Sequence, residues 1–302
     1  MKTVPRNKAI YSFSRAQSPA ERVKLGETVL LEAEDAFGGQ VKDEKTSLEK
    51  LDWSKVNGAT GPIFVEGVSP GDTLVVNIHS IKTEDKGVIA VIPKQGALGN
   101  RRRFAAATKV VKIERGYVRF SDKILVKTNP MIGTIGVAPE KEDIPTSTPG
   151  RHGGNMDAKE VRAGTKLYLP VSAKGALFAA GDIHAVQADG ESCVSSVEVP
   201  GRILISFNVI KGRIVSWPVL ETKSSFLFLA CGESLDEAAA LAVEVAVEAL
   251  MREHSCSFEE AYMLSSLVMD LEINQVVDPK KGVRAAVPKN LLSTESFCQE
   301  AP

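Results

Sequence analysis

The chain has 302 residues, 43% hydrophobic and 25% charged, with a formal net charge of −1. Such a composition is globular, long enough for one large or two smaller domains, and too evenly charged to favour nucleic acid as a partner. No run approaches the ~20 apolar residues of a membrane helix, so no membrane partner is expected either. The N-terminus lacks the apolar core of a signal peptide. Four cysteines, at 193, 231, 256 and 298, show no CxxC spacing. A cytoplasmic protein with free thiols is expected.

Along the chain, short strands recur between turn signals. Val29, Leu31 and Ala33 form an apolar stripe, and the same parity carries Asp35 onto that face. A carboxylate there needs a cation, an arginine or several N–H donors, unless it caps the turn that follows. Gly38-Gly39 then allows close backbone approach. After Pro70-Gly71-Asp72, residues Leu74, Val76 and Ile78 predict a second strand. Arg101-Arg102-Arg103 is the one dense basic cluster and reads as a solvated loop or subunit contact. The glycine-rich apolar stretch 129–139 predicts a pocket wall. In Gly150-Arg151-His152-Gly153-Gly154-Asn155-Met156-Asp157, glycines flank a histidine, an amide and a carboxylate, which is either a turn or part of a site.

The densest polar cluster follows the apolar run 176–180, in Gly181-Asp182-Ile183-His184-Ala185-Val186-Gln187-Ala188-Asp189-Gly190-Glu191. Strand alternation places Asp182 and His184 on the face of Phe178 and Ala180. A carboxylate and an imidazole continuing an apolar face are costly unless paired, and a metal ion would pair them. Cys193 lies two residues beyond Glu191, which leaves a cysteine–glutamate arrangement open. There is no Gly-x-Ser-x-Gly elbow. His79 reads as a satisfied strand histidine and His254 as a helix-end cation. Only His152 and His184 sit among acids and glycines, which favours metal-assisted chemistry.

After Pro200-Gly201, Ile203, Ile205, Phe207 and Val209 predict a further strand. Ser234 and Ser257 open two capping boxes. The first helix carries its apolar stripe to Leu250. The second carries Ala261, Leu264, Leu267, Val268 and Leu271 and is ended by Asp278-Pro279. The expected class is α+β, predominantly β, with a β-sandwich core and two C-terminal helices packed on it. Residues 1–230 form a mainly β catalytic region, 231–290 a helical part of the same unit, and 291–302 a frayed tail.

Six short motifs in order resemble the acetamidase/formamidase family: Asp35-Ala36-Phe37-Gly38-Gly39, residues 61–67, Pro70-Gly71-Asp72, Ile135-Gly136-Val137-Ala138-Pro139, Gly153-Gly154-Asn155-Met156-Asp157 and Gly181-Asp182-Ile183-His184-Ala185. The likeness covers about residues 1–290. It implies a β-sandwich, hydrolysis of short primary amides to acid and ammonia, metal dependence and a homo-oligomer. One departure is Ala188, where the family has glycine. The chain also looks like a compact version of the family.

Parity and resemblance together point to His184, Asp35, Asp182 and Asp157 as ligands of a divalent ion, zinc or alternatively calcium. Glu191 is the expected general base, with Asp182 also in the catalytic set, and Asn155 and Gln187 hold the small amide substrate. Two alternatives remain: a non-catalytic β-sandwich module with a structural ion, and a Cys193/Glu191 nucleophilic amidase.

Overall fold

The computed structural model describes residues 1–301. Its alternating apolar stripes build two sheets whose inner faces meet. The larger is a nine-stranded sheet in the order Lys2–Val4, Thr28–Ala33, Gly201–Ile210, Thr73–Thr83, Lys166–Pro170, Val219–Glu221, Ser225–Gly232, Lys281–Pro288 and Asp270–Gln275. Facing it, Gly153–Asn155, Met131–Gly136, Phe178–His184, Ala59–Val65 and Ala9–Ile10 follow one another, with Glu21–Val23 parallel to Ala59–Val65.

Val29, Leu31, Leu74, Val76, Ile203 and Ile205 of the first sheet share one buried core with Ile63, Ile132, Ile135 and Phe178 of the second. Phe178 and Phe207 meet edge to face across it at 5.0 Å. The outer face of the large sheet carries Val75, Tyr168, Phe226 and Phe228, covered by helix α1 (Leu235–His254). Ala238, Ala242, Ala246 and Ala249 let α1 approach closely. Ser234 caps α1, and the full Ser257/Glu260 capping box opens α2 (Phe258–Val268). This is a predominantly β, α+β fold, a sandwich with C-terminal helices on one face. Among the described residues no helix is long and apolar enough to cross a membrane.

The C-terminal part departs from expectation in two places. Helix α2 stops at Val268 because residues 270–275 leave helical spacing and pair antiparallel with Lys281–Pro288. Leu271 is therefore an exposed edge-strand residue, and Asp278-Pro279 belongs to a hairpin turn. Within the expected tail, residues 294–297 and 299–300 are built into the fold. Thr294–Phe297 forms a short helix, α3, whose buried Phe297 meets Tyr168, Phe226 and Phe228 edge-on.

A third departure positions the site. Asp182 takes a left-handed φ of +56°, so strict alternation fails there. Phe178, Ala180 and Ile183 stay in the core, whereas Asp182 and His184 turn out of it toward a cavity. The same strand is held by Met131–Gly136, with Met131 opposite His184 and Thr134 opposite Gly181.

Candidate active site

The cavity, about 250 Å³, lies at one end of the sandwich. Its polar wall is Asn155, Asp157, Asp182, His184, Glu191, Glu198 and Asp278; Phe37, Trp53, Ile92 and Val194 supply apolar surface.

His184 is fixed from behind. Its Nδ1 lies 2.8 Å from Gln187 Oε1, while Gln187 Nε2 donates to the carbonyls of Asp157 at 2.6 Å and Asn274 at 3.4 Å. Two carbonyl neighbours identify the donor end of the Gln187 amide, so its oxygen must accept from Nδ1–H. Nε2 is thereby turned to the cavity. There it faces Glu198 Oε2 at 3.0 Å, Asp182 Oδ1 at 3.4 Å and Asp157 Oδ1 at 3.9 Å. None of these three buried oxygens has a hydrogen-bond partner.

The remaining carboxylate oxygens are held by the scaffold. Asp182 Oδ2 accepts from Asn57 Nδ2 at 3.2 Å and lies 3.3 Å from the Thr134 hydroxyl. That hydroxyl is closer to Asn155 Oδ1, at 2.6 Å, and Asn155 Nδ2 donates to both oxygens of Asp278. The Ser196 backbone N–H donates to Glu198, and its hydroxyl to Glu191 Oε1 at 3.1 Å.

Crowding perturbs every group. Burial pushes Asp157 well above the carboxylate range, reinforced by Glu191; burial and Glu198 do the same to Glu191. Asp278 rises through burial and the neighbouring Asp157 charge. Burial carries Glu198 up to about 7 against the pull of His184. Burial alone would depress His184, but Glu198 and Asp182 outweigh it and hold the imidazole well above its ordinary value. Asp182 is lowered: its burial is overcome by His184 and by its hydrogen bonds.

So many buried acids around one imidazole call for a cation. Two ligand groups share His184, Asp157/His184/Glu191 and Asp182/His184/Glu198, with ligand atoms in each within 4.8 Å of one another. A Cβ on Gly133 would fall 2.5 Å from Asp157 Oδ1 and 2.7 Å from Asp182 Oδ2, so glycine keeps this cradle open. The donor set fits a divalent ion.

The structure thus brings together Asp157, Asp182, His184, Glu191 and Asn155. Asp35 stands apart: its Oδ1 accepts the Gly39 N–H at 3.0 Å, capping its own turn, and it belongs to neither ligand group. Gln187 spends its whole amide on His184 and two carbonyls, which leaves none for substrate. Cys193 does not line this cavity; its thiol faces the carbonyls of Ala90 and Ser195. His152 is buried against Phe13, and His79 bonds Ser206. Ala188 avoids a positive φ, so the missing glycine is tolerated. Sequence reasoning overlooked Glu198 and Asp278. Glu198, a lone acid between Val197 and Val199, carried a local signal; Asp278 carried only a turn signal.

A sandwich whose end wall joins one histidine to several buried acids defines a compact acidic-site fold, and comparison with known proteins gives it a family. The model of the acetamidase/formamidase family matches residues 15–148 and 141–294, and the chain belongs to that family. A structure of a predicted acetamidase/formamidase from the thermophile Thermoanaerobacter tengcongensis is 40% identical, with a TM-score of 0.93 over 98% of this chain and 97% of that one. An acetamidase structure from Bacillus halodurans is 38% identical, with a TM-score of 0.93 over 95% of this chain and 97% of that one. A formamidase of Methylophilus methylotrophus is 26% identical over 72% of this chain and 70% of its own length. The chain spans between 62% and 70% of the length of the curated relatives it matches.

Proposed function

We propose that the chain hydrolyses short-chain primary amides of the formamide and acetamide type to carboxylate and ammonia, with a divalent cation at His184. The observation that carries this reading is the convergence of three unpartnered carboxylate oxygens on His184 Nε2 in a small, partly apolar cavity. Family membership supplies the substrate class.

His184, Asp182, Asp157 and Glu198 would hold the ion. The imidazole donor favours zinc over calcium, which prefers oxygen alone. When bound, such an ion supplies Lewis-acid polarisation of the carbonyl and a lower pKa for water. Glu191 accepts a proton from the attacking water and passes it to the departing nitrogen, as the C–O bond forms and the C–N bond breaks. Burial raises its pKa above the ordinary carboxylate range, which makes it a stronger base than a free carboxylate. Asp182, held low and hydrogen-bonded, stays ionised beside the reacting centre. Phe37 and Trp53 keep the acyl side small and dry. The enzyme works in the cytoplasm as a homo-oligomer.

Ammonia release from formamide and acetamide, measured with and without chelator, tests the reading. Turnover should vanish on chelation, return with zinc, and fall by at least about 100-fold in Glu191→Gln. Chelator-insensitive turnover abolished by iodoacetamide would move the chemistry to Cys193 and overturn it.

A further inference from the structure

Asp278 is a half-buried acid at the cavity that belongs to neither ligand group. It comes from a hairpin turn far from the other site residues in sequence, and that turn is rigidly built. The buried Gln275 accepts from the backbone N–H groups of Val277 at 2.9 Å and Asp278 at 3.0 Å, and donates to the Lys280 carbonyl at 2.6 Å. Asn155 Nδ2 then reaches both Asp278 oxygens, at 3.1 and 3.0 Å. Asn155 is itself anchored through Oδ1 to Thr134.

Asn155 therefore commits one N–H to Asp278, shared between its two oxygens. Asp278 has acceptor capacity in surplus: a carboxylate offers about four lone-pair positions, and Asn155 occupies two. The charged neighbours that act on it, Asp157 and Asp182, are themselves acids. A carboxyl held in place at the cavity, with lone pairs beyond those Asn155 takes, can accept from a ligand that brings N–H groups.

We propose that Asp278 determines specificity for amides, accepting an N–H of the substrate –NH2, with Asn155 as its positioning residue. This rests on the amide-hydrolysing reading above. An ester of the same acyl group presents only lone pairs at that place and brings no N–H for the Asp278 oxygens to accept. A site built to accept from an N–H rejects the analogue that lacks it, because its own buried polar group is then left unpaired.

The test compares kcat/KM for acetamide and methyl acetate in the wild type and in Asp278→Asn at matched metal content. Asn keeps the shape, removes one charge from a crowded cluster and puts an amide where the acceptor pair stood. The amide-to-ester preference, the ratio of the two kcat/KM values, should drop about 30-fold. An active wild type whose preference is unmoved by the substitution overturns this inference alone. A wild type inert toward every short amide overturns the reading on which it rests. A measurement that needs no variant is inhibition of acetamide turnover by N-methylacetamide and by N,N-dimethylacetamide. The dimethyl compound, with no N–H, should inhibit at least about tenfold more weakly; equal inhibition overturns the proposal.

Discussion

Asp35 shows how one carboxyl can be buried without serving a metal. Its Oδ1 accepts the Gly39 N–H, yet burial still lifts its pKa to about 6, with those backbone bonds only partly opposing. In the unfolded chain the same group ionises near its ordinary value of 3.8. Between these values the unfolded state releases a proton that the folded state keeps. Stability is thus lost as pH rises through the window, and the penalty is complete above it. Asp35→Asn preserves the acceptor and removes the charge. It should stabilise the protein at pH 7 by up to about 3 kcal/mol, at 1.36 kcal/mol per pKa unit, and by nothing at pH 3. Urea denaturation at the two pH values checks the gain, and metal analysis checks the role. A variant that loses its metal would return Asp35 to the ligand set.

At the scale of elements, Arg284 joins the loop that carries Glu191 to the hairpin that carries Asp278. It is fully buried on the strand Lys281–Pro288, and pairs with Glu160 at 3.2 Å, Asp189 at 2.8 Å and Glu272 at 2.7 Å. Its Nη1 also donates to Asn274 at 2.8 Å. Arg284→Met leaves these acids without their cation, so the expected cost is about 3–5 kcal/mol, read as a lower urea midpoint. Activity should fall as well, because the Glu191 loop loses an anchor at Asp189. A loss under about 1 kcal/mol would mean that water compensates the freed carboxylates. The same elements explain what was legible in the sequence. The stripes at 29–33, 74–78 and 203–209 and the two serine N-caps are local patterns that formed as read, although only Ser257/Glu260 closes a full capping box, Glu237 turning instead to the Glu233 N–H. The helix that ran on to Asp278 was misread because Leu271 happens to continue the apolar spacing of α2, whereas pairing with Lys281–Pro288 claims it for a strand. Asp182 and His184 were assigned to one side of a regular strand, whereas a single left-handed residue reversed the parity and sent them into the cavity. Asp278 reaches Asn155 only through strand pairing between distant segments, which no local periodicity encodes.

For the molecule as a whole, the acid-lined cavity links metal loading, pH and stability. In the metal-free protein the raised carboxyls, Glu198 at about 7 among them, keep protons that the unfolded chain would release. His184, also raised, keeps a proton the unfolded chain gives up as pH rises. Both shifts act in one direction, so metal-free stability should fall between pH 6 and pH 8. Asp182, lowered, acts only below the ordinary value of 3.8, outside this range. Metal binding has the opposite dependence, since ligands must be deprotonated to coordinate. A cation present at ~100 times its Kd adds about 2.7 kcal/mol to the folded state, and that increment shrinks as protons compete for the same oxygens. Thermal melts of metal-loaded and chelated protein should therefore diverge at pH 8 and converge toward pH 6. Equal separation at both pH values would show that any bound ion lies away from Asp157, Asp182, His184 and Glu198.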